Sequence, residues 1–176
     1  MAAVEVIWAT MGGAEATRLA KARVAQQGAL VWGPGQYEAF IKDHFVNQYK
    51  DFAVVTLDRS ENPPRCKVTI GEDNEPFQVV PGPRQSTDRA RRGQPHAEDI
   101  IVANYGGEDV TAIVRHMFQQ HNGLSINEDP NHFFGDPLPG VYKALVVVYM
   151  TKKPNGVPHR AVAYWNFGEQ VNLPRG

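Results

Sequence analysis

A single cysteine, Cys66, is all the thiol the chain has. One thiol cannot close an internal disulfide, which points to a reducing compartment and away from a disulfide-stapled secreted scaffold. Long hydrophobic runs are missing as well. The longest, ALVVVYM from Ala144 to Met150, is far too short to cross a bilayer and reads as a buried strand. The amino-terminal stretch MAAVEVIWATMGGAEA lacks the basic region and apolar run of a secretory signal. These absences lead us to expect a cytoplasmic protein with no membrane insertion. Net charge is missing too: the formal value is −1. No global field draws nucleic acid or an anionic surface.

Catalytic signatures are equally sparse. The six histidines, His44, His96, His116, His121, His132 and His159, form no H-E-x-x-H or Cys/His zinc spacing. There is no G-x-S-x-G elbow. The NYGGEDVT stretch has the glycines of a turn but neither the lysine nor the spacing of a phosphate loop. The expectation is a non-enzyme without metal or cofactor.

What the chain does contain is an internal echo. Residues 5–31 align without gaps on residues 99–125, with identities at Ile7/Ile101, Ala9/Ala103, Gly12/Gly106, Gly13/Gly107, Thr17/Thr111, Gln26/Gln120 and Leu30/Leu124. Ordinary residue frequencies would give roughly two such matches. The echo resumes one position out of step. Tyr49-Lys50 matches Tyr142-Lys143, and Val54-Val55 matches Val147-Val148. This predicts repeat 1 over 1–81, an Arg-, Pro- and Gly-rich linker over 82–98, and repeat 2 over 99–176. The linker's Arg84, Arg89, Arg91 and Arg92 have no interleaved aromatic for base stacking and read as a solvated tether.

Each repeat reads the same way: a strand (VEVIWAT or DIIVANY), a Gly-Gly turn, a short helix, a short strand, a long polar loop, and a central strand (FAVVTL or ALVVVYM). A closing hairpin is expected to pair RCKVTI with PFQVVP, and HRAVAYW with QVNLP. Val110, Ile113, Val114, Met117, Phe118 and His121 share one helical face, with Asp109 to cap its start and Asn122-Gly123 to stop it. The predicted class is α+β, mostly β: two pseudo-symmetric β-rich repeats, each with one short helix. A unit this small is marginal alone, so the two are expected to pack together over a shared apolar seam.

The second repeat carries YGG (Tyr105 to Gly107), DVT (Asp109 to Thr111), FGDPLPGVYKALVVVY (Phe134 to Tyr149) and GEQVNLP (Gly168 to Pro174). Across these motifs it resembles a domain of uncharacterised function found in the C-terminal region of certain DnaJ-like co-chaperones and in stand-alone microbial and fungal proteins. The first repeat departs from that pattern, with MGG for YGG and IKDHFVNQ where FGDPLPG should stand. No J-domain HPD tripeptide is present, so the resemblance implies at most an indirect co-chaperone role.

The loop NEDPNHFFGDPLPG, Asn127 to Gly140, gathers amides and carboxylates beside Phe133 and Phe134. Such groups suit a sugar, which presents vicinal hydroxyls and an apolar C–H face. The alternative is a surface loop whose Asp and Pro set turns. The corresponding first-repeat loop, Gly33 to Gln48, has a similar composition. The candidate ligand residues are Tyr105, Asn131, His132, Asp136 and Trp165, with Tyr37, Asp43 and His44 in the first repeat. Trp8 and Trp32 read as core.

The leading expectation is non-catalytic carbohydrate binding to a glycan or glycoprotein, in the manner of small cytosolic fungal-type lectins, with a homo-oligomer left open. The alternatives are a protein-interaction module, or a small enzyme with its pocket between the repeats.

Overall fold

The computed structural model describes residues 4–33, 45–72, 75–79 and 97–176. Strands β1 (Glu5–Met11), β2 (Ala14–Glu15), β5 (Phe52–Asp58) and β6 (Arg65–Gly71) form one antiparallel sheet in the order β2-β1-β5-β6. Strands β4 (Tyr49–Lys50), β8 (Asp99–Tyr105), β9 (Glu108–Asp109), β11 (Ala144–Lys152) and β12 (Pro158–Asn166) form a second, five-stranded sheet in the order β9-β8-β11-β12-β4. Helix α1 (Thr17–Gln27) and a β3–β7 pair (Leu30–Trp32 with Phe77–Val79) cover the first sheet's outer face. Helix α2 (Thr111–Gln120) and a β10–β13 pair (Gly123–Ile126 with Val171–Pro174) cover the second. A short helix α3 (Asn131–Phe134) follows β10. The protein is mostly β, with three helices among the described residues. None of them is long and apolar enough to cross a membrane.

The two central strands are buried on both faces, which is why they read as unbroken apolar runs. In β5, Phe52 and Val54 pack outward under α1, while Ala53 and Val55 point inward. In β11, Leu145, Val147 and Tyr149 pack outward under α2, while Ala144, Val146 and Val148 point inward. The inward residues, with Cys66, Val68, Val162 and Tyr164, make one apolar layer between the sheets.

The shared residues have specific jobs. Ala9 N–H donates to Thr17 Oγ1 at 3.0 Å, and Ala103 N–H donates to Thr111 Oγ1 at 2.9 Å, so each threonine ties a helix start to a strand. The preceding acid caps the same turn: Glu15 accepts the Thr17 N–H at 2.7 Å, and Asp109 accepts the Thr111 N–H at 2.9 Å. The Gly-Gly turns cross the seam. A Cβ on Gly13 would stand 2.5 Å from Ile101, and one on Gly107 would stand 2.7 Å from Ile7. Helix α2 buries Val110, Val114 and Phe118 as expected, but leaves Ile113 exposed. Asn122, at φ 52, supplies the left-handed stop.

The expected closing hairpins do not form. RCKVTI pairs with FAVVTL and HRAVAYW pairs with ALVVVYM, in both cases over the full strand. PFQVVP and QVNLP instead join β3 and β10. The reason is which core each strand feeds. Cys66 and Val68 belong to the inner layer, whereas Phe77 stacks on Trp32 at 4.4 Å in the outer core beneath α1. Val171 and Leu173 sit likewise beneath α2.

Each half also lends a segment to the other. Strand β4 (Tyr49–Lys50) runs parallel to β12 through the pairs Tyr49/His159 and Lys50/Arg160. Tyr142 bridges in parallel to Arg65 of β6, and Cys66 N–H donates to Tyr142 O at 2.7 Å.

Candidate functional site

A groove of about 470 Å³ opens at one end of the second half. One wall is the stretch leaving β10, Ile126 to Pro130. The other is the β12–β13 turn, Phe167 to Gln170. Gln170 donates from Nε2 to Asn127 Oδ1 at 2.6 Å and ties the walls together. Glu169 accepts from the Asn166 N–H at 2.8 Å, which fixes the turn. Asp129 accepts from the Asn131 N–H at 2.9 Å and starts α3. Glu128 reaches into solvent, 3.9 Å from His132. Glu128, Asp129 and Glu169 line the groove together with the amides of Asn127 and Gln170, and among the described residues no lysine or arginine lines it.

Phe167 is the groove's aromatic element. It is 41% exposed. Its ring lies on Tyr142 with centroids 4.7 Å apart and planes 12° apart, and the Arg65 guanidinium sits 5.7 Å above the Tyr142 ring. An exposed phenylalanine at a turn costs solvation, and here it is held flat by a stack that begins in the first half of the chain.

Beside the groove, and sharing Phe167 with it, is a seam pocket of about 260 Å³ lined by Arg65, Cys66, Tyr142, Lys143, Asn166 and Phe167. Burial pushes the Cys66 thiol above its ordinary value, with a hydrogen bond from the Ala144 backbone and the Lys143 charge acting the other way.

The sequence-derived candidates fall elsewhere. Tyr105 is buried. Its hydroxyl donates to Asn131 Oδ1 at 2.9 Å and its ring packs on Phe134 at 5.3 Å. Burial raises its phenol far above the ordinary value, reinforced by the carboxylates of Asp129 and Asp136. Asp136 pairs with Lys143 Nζ at 2.6 Å. Lys143 also donates to Leu138 O at 3.1 Å and Val141 O at 3.0 Å, so all three of its protons are engaged. The FGDPLPG loop therefore wraps a buried lysine, and Asp136 is part of that wrapping. Trp165 is half-buried against the core beneath α2. His132 is exposed on α3, and Asn131 stands at the base of that helix. None of these five lines the groove, although their neighbours Asn127, Glu128 and Asp129 do. Tyr37, Asp43 and His44 lie outside the described residues.

One buried polar pair escaped the sequence reading. His159 Nε2 lies 2.7 Å from Asp51 Oδ1, and Asp51 Oδ2 accepts the Val162 N–H at 3.1 Å. The partners are 108 residues apart, so no local motif announces them. Among the described residues, no group of three His, Cys, Asp or Glu is placed to hold a metal ion.

The chain matches no protein-family model, no curated protein and no solved structure. What the groove does must be argued from its chemistry.

Proposed function

We propose that this is a non-catalytic carbohydrate-recognition protein, and that a sugar sits in the groove between Asn127–Pro130 and Phe167–Gln170. The supporting observation is one exposed aromatic ring, Phe167, held flat on Tyr142 beside three carboxylates and two amides. A pyranose needs an apolar platform for its C–H face and fixed acceptors and donors for its hydroxyls. Turn hydrogen bonds from Asn166, Asn131 and Gln170 pre-set these groups, so little ordering entropy remains to oppose binding.

We further read the two halves as copies of one unit, ancestrally a homodimer. The same order of elements, the Thr17/Thr111 ties and the reciprocal Gly13–Ile101 and Gly107–Ile7 contacts support it. A buried free Cys66 suits a cytoplasmic setting.

The test is a glycan array probed with the labelled full chain, with and without EDTA, alongside Phe167→Ala and Asp136→Ala. We expect binding to one glycan class that resists EDTA. Phe167→Ala should weaken it about tenfold, the order of magnitude for an aromatic contact. Asp136→Ala should retain it wherever the variant is folded. A blank array with folded protein overturns the proposal.

A further inference from the structure

The seam pocket exists because the two faces of the seam differ. On one face Arg160 of β12 stands beside Lys50. It donates to Gln48 Oε1 at 2.7 Å and Gly12 O at 2.9 Å, and its guanidinium covers the Phe45 ring at 3.6 Å. On the other face the position matching Arg160 in strand register is Cys66, which buries only a thiol beside Lys143. A side chain that fills one face is absent from the other, and about 260 Å³ stays open.

We propose that this pocket is a second subsite, continuous with the groove across Phe167, shaped for a sugar unit that bears a carboxylate. The inference rests on the carbohydrate reading of the groove. Among the described residues the lining holds two cations and no carboxylate. Both are paired with a carboxylate, but Lys143 has all three protons taken by Asp136, Leu138 O and Val141 O, so the donor left for a ligand is Arg65. Glu61 takes its Nε at 2.9 Å. That leaves the η nitrogens, whose paired N–H groups fit a carboxylate bidentately, and among the described residues no partner takes them. The groove has the opposite character, with Glu128, Asp129 and Glu169 and, among the described residues, no cation in its lining. A ligand spanning both must have at least two units: a neutral or amino-bearing one over the groove, and an acidic one at the seam. Arg65 comes from the first half and the groove from the second, so the full site needs both halves.

The experiment compares a neutral disaccharide, the same disaccharide with one unit oxidised to the uronate, and free glucuronate. Titration calorimetry is run on the full chain and on Arg65→Gln, Arg65→Lys and Phe167→Ala. Arg65 is about half exposed, so these changes leave the fold intact. We expect the uronate disaccharide to bind roughly five- to tenfold more tightly than the neutral one, the scale of a partly exposed charged hydrogen bond. Arg65→Gln should erase that preference, Arg65→Lys should keep part of it, and rising salt should shrink it. Equal binding of neutral and acidic disaccharides to the unmodified chain overturns the second subsite but leaves carbohydrate recognition standing. So does a preference that survives Arg65→Gln. Free glucuronate binding as tightly as the disaccharide overturns the two-unit ligand. Binding of no sugar at all overturns both proposals.

Discussion

Replacing Lys143 by methionine keeps the length of the side chain and removes its charge. Lys143 is almost wholly enclosed, with its side chain 2% exposed, and its ammonium satisfies Leu138 O, Val141 O and Asp136. The methionine leaves two backbone carbonyls and a carboxylate without their donor. Each carbonyl orphaned in a buried place costs about 1–3 kcal/mol. Asp136 costs less, because it is 44% exposed and water reaches it. The stem is partly compensated, since methionine still packs against Gly106, where a Cβ would stand 2.9 Å from Lys143 Cδ. The sum is a loss of about 3–5 kcal/mol, in the range for breaking a buried pair by removing one partner. Asp136→Ala keeps both carbonyl bonds and removes only the exposed partner, so its loss should be about 1–2 kcal/mol.

Urea unfolding followed by tryptophan fluorescence reads both values, with the unfolding slope held as a check that the transition is unchanged. A K143M loss within about 0.5 kcal/mol of zero would refute the account of the FGDPLPG loop as the wrapping of a buried cation. The same refutation would follow if Asp136→Ala left stability untouched but abolished sugar binding. That result would return Asp136 to the ligand site where the sequence first suggested it.

Other consequences follow from the same geometry. Gly107→Ala places a Cβ 2.7 Å from Ile7 at φ +101 and should cost about 2–4 kcal/mol, whereas Gly28→Ala, left-handed at φ 72 and ψ −1 with open space around it, should cost only about 1 kcal/mol of backbone strain. Chemical denaturation of the two variants checks the difference. Asp58, hydrogen-bonded by Lys67 and then Ser60, has its carboxyl pulled down to about 2. A lowered native value stabilises the fold above the ordinary carboxylate range, and that stability fades as pH falls from about 4 towards 2. Asp58→Asn should therefore remove about 1–2 kcal/mol at neutral pH and flatten acid unfolding within that window, as urea midpoints across pH would show.

The frame of the fold was legible because short-range chemistry sets it. The strand, Gly-Gly turn and Thr that recur at an offset of 94 residues predict where β1, α1, β8 and α2 begin, and the Val-rich runs predict the doubly buried centre. Strand partners were not legible. Alternation in RCKVTI and PFQVVP allows them to pair with each other, and only the three-dimensional location of the Trp32–Phe77 stack sends β7 to the other core. The site was half legible. Composition picked out the loop containing Asn127, Glu128 and Asp129, but residue type could not separate Asp129, which faces the groove, from Asp136, which faces Lys143. Phe167 stood out in no motif because its value depends on Tyr142 and Arg65, 25 and 102 positions away in sequence.

Agreement and disagreement between matching positions separate scaffold from site. Where the halves agree, at the paired glycines, threonines and buried lysines, each residue answers a demand of the fold that arises twice. Where they differ along the seam, the demand arises once. By strand register Asp51 stands at the place of Ala144, His159 at that of Arg65, and Arg160 at that of Cys66. On the first face those substitutions build a closed network of Asp51–His159 and Arg160–Gly12. On the second they leave a thiol, an arginine above a tyrosine, and a pocket. A symmetric pair of sites would bind two equal ligands. The first face engages its arginine with Gly12 and Gln48, and the second keeps a pocket lined by Arg65 and Cys66, so the two faces of the seam offer different chemistry.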